Sequence, residues 1–250
     1  MTGRRPVLRA RLAVSLLTGA ALFAAAPAAA QEITFSLGED GSLAGQSVQL
    51  LLLVTVLSLV PGIAVTITCF PFLVTVLSIL RQGLGLQQSP PNMLLVSLAL
   101  FLTWYVMDPV FRAAWDGGVQ PLIDGELGLE AAFGATMEPF RAFMAARVDP
   151  STLEAMAALR PAPPQATGAE MPLAVLVPSF LLSEIARAFE IGFLVFLPFL
   201  VIDLVVAAVL MSMGMMMVPP AIVALPFKLA FFVLADGWRL IAESLVRSYM

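Results

Sequence analysis

Between Val48 and Leu80 the chain carries no charged residue, and Arg81 is the first to appear. A run this long and this apolar belongs in a membrane, where ~20 residues make one helical span. Thirty-three residues exceed one upright span and fall short of two spans plus a turn. Pro61-Gly62 and Pro71 punctuate the run. One broken or tilted span followed by a shorter helix fits best, with the prolines as the expected kinks.

Similar runs recur. A loop of turn-forming residues (Arg81, Gln82, Gly83, Gly85, Gln87, Gln88, Ser89, Pro90, Pro91, Asn92) leads into a second apolar segment. That segment runs from Met93 to about Met107 or Val110, with Trp104 and Tyr105 as interfacial anchors near its end. Three more apolar helices are expected at 172–189, 191–213 and 220–246. Between the two groups, Asp108 to Glu170 holds nine acids against four arginines and closes on Pro161-Ala162-Pro163-Pro164. It reads as a small, partly helical polar insertion, with helical composition from Leu153 to Leu159. The fold class is thus an all-α membrane protein of about four hydrophobic helical segments arranged as bent hairpins.

Composition narrows the chemistry. Sixty per cent of residues are apolar and 12% charged, with a mean hydropathy of +0.96, far outside the range of soluble domains. The chain has no histidine, which removes imidazole metal sites and Ser-His or Cys-His nucleophile pairs. Its single Cys69 supports neither a disulfide framework nor a CxxC motif. No glycine-rich phosphate loop is present, and a net charge of −4 without a basic patch gives nucleic acid no purchase. No enzyme, cofactor or metal is expected.

The first thirty residues read as a cleaved secretory signal. Arg4, Arg5, Arg9 and Arg11 precede an apolar stretch from Leu12 to Ala26, and Ala28-Ala29-Ala30 precedes Gln31. The alternative is an uncleaved membrane helix, but the apolar run is short and ends in an Ala/Pro cluster. Arg4-Arg5 without further context does not establish twin-arginine export. The expected organisation is a signal at 1–30, N-terminal hydrophobic helices at 31–110, a periplasmic insertion at 111–170 and a C-terminal hairpin region at 171–250. Four spans after cleavage would place both termini and the insertion outside, with the Arg81 loop and the methionine turn inside.

Polar residues within apolar segments are the functional candidates. Glu184, Arg187 and Glu190 are spaced so that Arg187 can meet either acid on one helical face. Met211, Met213, Met215, Met216 and Met217 crowd a turn that ends at Pro219-Pro220. Thioethers deform and reseal around different shapes, so the turn is either a greasy, gap-filled helix end or a soft gasket. Asp203 lies thirteen residues before Met216 and Lys228 twelve after it. At ~1.5 Å per residue an antiparallel hairpin brings the two charges to the same depth, ~18–20 Å from the turn. They form either an ion pair that sets hairpin register or the site of a self-contained ion-coupled transporter. An intramembrane aspartyl protease built on Asp203 and Asp236 fails, because the GxGD context is missing and the two acids lie at different depths. Asp236-Gly237-Trp238-Arg239 reads as an interfacial anchor.

Three stretches of the chain resemble the FliP family of flagellar and virulence type III secretion proteins. The first is Val76-Leu77-Ser78-Ile79-Leu80-Arg81-Gln82-Gly83-Leu84-Gly85, followed by Pro90-Pro91-Asn92 and Leu98-Ala99-Leu100-Phe101-Leu102-Thr103. The second is Leu176-Val177-Pro178-Ser179-Phe180-Leu181-Leu182-Ser183-Glu184, then Ala188-Phe189-Glu190-Ile191-Gly192-Phe193. The third runs from Leu197-Pro198-Phe199-Leu200-Val201-Ile202-Asp203 through the methionine turn to Leu225-Pro226-Phe227-Lys228 and Asp236-Gly237-Trp238.

The resemblance implies a core subunit of the type III export gate in the inner membrane at the flagellar basal body. It implies a pentamer that assembles with FliQ and FliR, and with other export apparatus proteins, into a channel for unfolded protein substrates. It also implies helices bent into hairpins and lifted largely above the membrane plane, with the methionine turn lining the pore and restricting leakage. One departure stands out. The family pattern has Thr-Arg after the Phe of its first motif, where this chain has Pro71-Phe72 after Phe70. The loss removes a charge from an apolar segment and predicts a different local contact or helix path.

Overall fold

The structure is a computed structural model that describes residues 43–86, 89–161, 168–215 and 217–250. The signal-peptide expectation, most of the proline linker, Gln87-Gln88 and Met216 fall outside those residues. The chain divides into two units, residues 1–52 and 53–250. Of the first, only the opening of helix α1 (Leu43–Thr66) is described; the packing below belongs to the second.

The described residues form helices and connecting turns. The uncharged run is indeed divided: α1 ends at Thr66, and α2 (Phe70–Gly83) begins after a three-residue break. The two prolines behave differently. Pro71 occupies the first turn of α2, where its missing N–H costs nothing, whereas Pro61 lies within α1 without ending it. Helix α2 is about 21 Å long, short of the ~30 Å hydrocarbon core. Phe72, Leu73, Val76, Leu77 and Leu80 along it are fully buried by protein. Phe72, one of the two residues that depart from the family pattern, packs edge-on against Tyr249 at 5.4 Å. An apolar ring there has taken a core position that an arginine could not fill without a partner.

The second apolar segment is longer than its composition predicts. Helix α3 (Asn92–Ala114) passes through a π turn (Trp115–Val119) into short α4 (Gln120–Ile123). Asp108 does not end it, because Arg112 pairs with that carboxylate at 2.9 Å one turn on. Trp104 and Tyr105 are therefore exposed in mid-helix rather than at an end. The polar insertion continues with α5 (Leu129–Arg147) and α6 (Pro150–Ala158). It is more than a partly helical appendage: α5 packs on α3 and on the C-terminal helices, sending Phe140, Phe143 and Met144 into the core.

The largest correction lies in the C-terminal region. The helices expected at 172–189 and 191–213 are one continuous helix, α7 (Leu173–Ser212), which runs through Pro178 and Pro198. Its forty residues extend roughly 60 Å, twice the hydrocarbon thickness. Gly192, just past the expected break, admits α2: a Cβ there would lie 2.4 Å from Ile79 Cδ1. The last segment is, conversely, two helices. α8 (Pro220–Leu234) and α9 (Gly237–Arg247) meet at a 62° bend, where Asp236 adopts the left-handed region at φ 49°. Its carboxylate holds Arg239 at 2.7 Å.

Among the described residues, two helical stretches are long and apolar enough to cross a membrane, residues 92–123 and Leu173–Ser212. Counting the bent α8–α9 pair makes three.

A capping interaction fixes α6 against α7. Asp149 accepts hydrogen bonds from the Thr152 backbone N–H at 2.8 Å and from the Ser151 hydroxyl, and its own N–H donates to Ser183 Oγ at 3.0 Å. The Ser151 hydroxyl, then the Thr152 amide, holds its carboxyl below the usual range. A carboxyl depressed in the fold stabilises above its unfolded pKa of ~3.9 and loses that contribution as pH falls through the folded value. Protection of the Thr152 amide against exchange, taken relative to its intrinsic rate at each pH, should fall in that acid window in the native protein. Asp149→Asn should keep the cap but lose the acid step, and Asp149→Ala should exchange fast at every pH. An acid step that survives in Asp149→Asn would overturn this assignment.

Candidate functional site

The methionine run closes helix α7 rather than continuing it. Gly214 takes the left-handed conformation at φ +76° and donates its N–H to the Met211 carbonyl at 3.0 Å. The Met215 N–H reaches back to the Leu210 carbonyl at 3.0 Å. These two bonds form a Schellman cap, which satisfies the last carbonyls of the helix and turns the chain sharply. Pro220 then starts α8 behind Pro219. The turn is thus rigid in its backbone while Met211, Met213, Met215 and Met217 are exposed on it. Met217 is 97% exposed. Methionines placed to fill a core would be buried, and these are not.

Below this tip the two arms are tied. Lys228, itself buried, donates to Asp203 Oδ2 at 2.6 Å and to the Gly83 carbonyl at 3.0 Å. The second bond was not legible in the sequence. It brings the C-terminal end of α2, where helix carbonyls lack intrahelical partners, onto the hairpin. One cation therefore joins α2, α7 and α8. Asp203 Oδ1 is buried and makes no hydrogen bond.

The second buried charge lies on α7 near the polar insertion. Glu184 is fully buried, and its carboxylate receives donors from two other elements. Arg147 Nε on α5 donates to Oε1 at 3.3 Å, with Nη2 at the same distance, and the Tyr249 hydroxyl donates to Oε2. Arg187 lies 3.6 Å from Oε1. Of the two acids within its reach Arg187 thus meets Glu184, while Glu190 is exposed and makes no ion pair among the described residues. Arg147 also donates to the Ser248 carbonyl at 2.7 Å and lies 4.0 Å over the Tyr249 ring. Burial, then the Glu184 charge, raises the Tyr249 phenol well above its ordinary range and keeps it a donor. Neither Arg147 nor Tyr249 stands out in the sequence: one is an arginine among acids, the other a residue near the C-terminus.

The loop motif is closed by Arg81, whose guanidinium donates to Asn92 Oδ1 across the turn that holds Pro90 and Pro91. Among the described residues, no group of three His, Cys, Asp or Glu could hold a metal ion. The arrangement supplies rigidity and an apolar tip.

A family model described as "FliP family" matches residues 53–245. The chain is similar to the flagellar biosynthetic protein FliP of Caulobacter vibrioides, 51% identical over 97% of this chain and 92% of that protein. It is 44% identical to the protein of that name in Bacillus subtilis, over 84% of this chain and 95% of the relative. The Aquifex aeolicus relative is 41% identical, over 97% and 100%.

Proposed function

Because this chain belongs to the FliP family, we propose that it is a core, pore-forming subunit of the flagellar type III protein export gate. In this reading several copies, five by family resemblance, surround a channel together with FliQ and FliR. Unfolded flagellar proteins cross the inner membrane through it, and residues 111–170 face the periplasm. The observation that carries the proposal is the hairpin tip. Four of its methionines are exposed on a backbone fixed by a Schellman cap, and a buried ion pair fixes the arms below. A ring of such tips would be a deformable apolar constriction on a stiff frame. That combination suits a channel that must pass chains of varied side chains and reseal behind them.

The test is electrical. Replacing Met213, Met215 and Met217 together by Ala, in the complex assembled with its partners, should raise ion conductance across a planar bilayer several-fold. Each substitution removes three heavy atoms from the constriction and leaves the capped backbone intact. Conductance equal to that of the native complex would overturn the gasket role. Extending the set to Met211 and Met216 should increase the leak further.

A further inference from the structure

Away from the methionine turn, the polar insertion ends in a second helical hairpin, formed by α4 and α5. Residues 92–123 are one helical stretch of 32 residues, roughly 48 Å long against a hydrocarbon core of ~30 Å. It therefore projects beyond a bilayer, and the charged end at α4 is the end that projects. Close packing holds the two arms together, since a Cβ at Gly118 would lie 2.6 Å from the Thr136 backbone nitrogen. The outside of this tip nevertheless carries large apolar groups: Trp115, Ile123, Leu129 and Phe133 are each more than half exposed. An α turn takes 3.6 residues and a π turn roughly one more. The eight positions from Trp115 to Ile123 thus make two turns and set both side chains on one side of their helix. Leu129 and Phe133, four apart, share a side of α5. Large apolar groups exposed together inside a charged rim mark a contact surface.

The rim has one sign. Asp116, Asp124, Glu126 and Glu130 are exposed, and none makes an ion pair among the described residues. No lysine or arginine lies between Arg112 and Arg141, and both of those are engaged. Arg112 pairs with Asp108 at 2.9 Å, and Arg141 donates to the Ala169 and Met171 carbonyls at 3.3 and 3.0 Å. We infer that this tip docks a segment of another protein in which apolar side chains are flanked by lysines or arginines. Charge selects that occupant from the others an apolar surface could take. A second copy would set four carboxylates against the same four. A bilayer surface draws in helices rich in Lys and Arg, which this tip lacks. A cationic segment gains twice: its apolar side chains take the four large groups out of water, and its charges meet the rim. The rim then speeds association and makes it salt-dependent. The surface is independent of the pore, because it shares no residue with the methionine turn or the Asp203–Lys228 pair.

The test places a photo-crosslinking phenylalanine analogue at Leu129 or at Phe133 of the full chain, in cells that assemble its complex. Irradiation should give an adduct with a second protein, and mass spectrometry should map the attachment to a segment of net positive charge. Neutralising the rim with Asp116→Asn, Asp124→Asn, Glu126→Gln and Glu130→Gln should cut the yield per assembled chain roughly fivefold or more. Glu154→Gln, at an exposed acid on α6, should leave it unchanged. Membranes carrying the unaltered rim, irradiated in about 1 M salt where screening reaches ~3 Å, should lose the adduct to a similar extent. Full yield after either treatment would overturn the assignment. So would an adduct with a second copy, with lipid or with an acidic segment, or no adduct from either position. None of those results touches the export-gate reading, which the conductance measurement tests separately.

Discussion

Asp203→Ala should lower stability by about 3–5 kcal/mol, the usual cost of leaving a buried charge without its partner, because the charge it strands is the buried Lys228. The variant should lose most assembled complex, read as the multimeric fraction after extraction and as a drop in melting temperature. Lys228→Ala should cost less, because the carboxylate it leaves behind belongs to Asp203, whose side chain is 36% exposed and reaches water. The exchange Asp203→Lys with Lys228→Asp separates the two readings of this pair. If the pair sets hairpin register, the exchanged chain should recover more assembly than either single lysine or aspartate substitution, yet less than the native chain. Recovery stays partial because a carboxylate at 228 would face the Gly83 carbonyl, an acceptor against an acceptor. No recovery at all, combined with ion transport by the chain alone in liposomes, would favour the transporter.

The second large effect concerns Glu184. Glu184→Ala should be among the most damaging single substitutions in the chain, also about 3–5 kcal/mol. It strips Arg147 and the Tyr249 hydroxyl of their common acceptor at once. Tyr249→Phe removes only one hydrogen bond to a charged group, a loss of about 1.5–3 kcal/mol. It keeps the ring stacked on Phe143 and edge-on to Phe72. The pair Arg147→Ala and Glu184→Ala should be strongly non-additive, the double variant melting well above the sum of the two losses. Additive losses would mean that the two groups do not act on each other. Because Arg147 belongs to α5 and Glu184 to α7, non-additivity also tests whether the polar insertion is anchored through this contact.

Much of this arrangement was legible residue by residue, and the exceptions share a cause. The break between α1 and α2, the hairpin turn and the equal depth of Asp203 and Lys228 all follow from local signals. These are proline position, a glycine among methionines, and a constant rise per residue. The continuity of α7 past residue 190 was not legible, because an apolar run longer than one span can be two helices or one, and the choice depends on what packs there. Here Ile79 does. The bend at Asp236 was hidden for a similar reason: no proline marks it, and the left-handed residue is not a glycine. The Arg187–Glu184 contact follows from helical spacing, but the rest of the Glu184 cluster was not legible because spacing shows only partners on the same helix. Its stronger partners come from residues thirty-seven and sixty-five positions away.

By itself the sequence determined the class of the molecule. Long uncharged runs leave an apolar helical scaffold, and the spacing of rare charges about the methionine turn leaves one hairpin register. Both are consequences of composition and of the helix repeat, which act within a segment. Only the tertiary structure decided which charges share a site and which methionines are free. A buried lysine needs every available acceptor, whichever helix supplies it, so the end of α2 was drawn to the hairpin. A capped turn with no core around it leaves its thioethers outside. Burial and partner choice are properties of packed surfaces, and no single segment carries them.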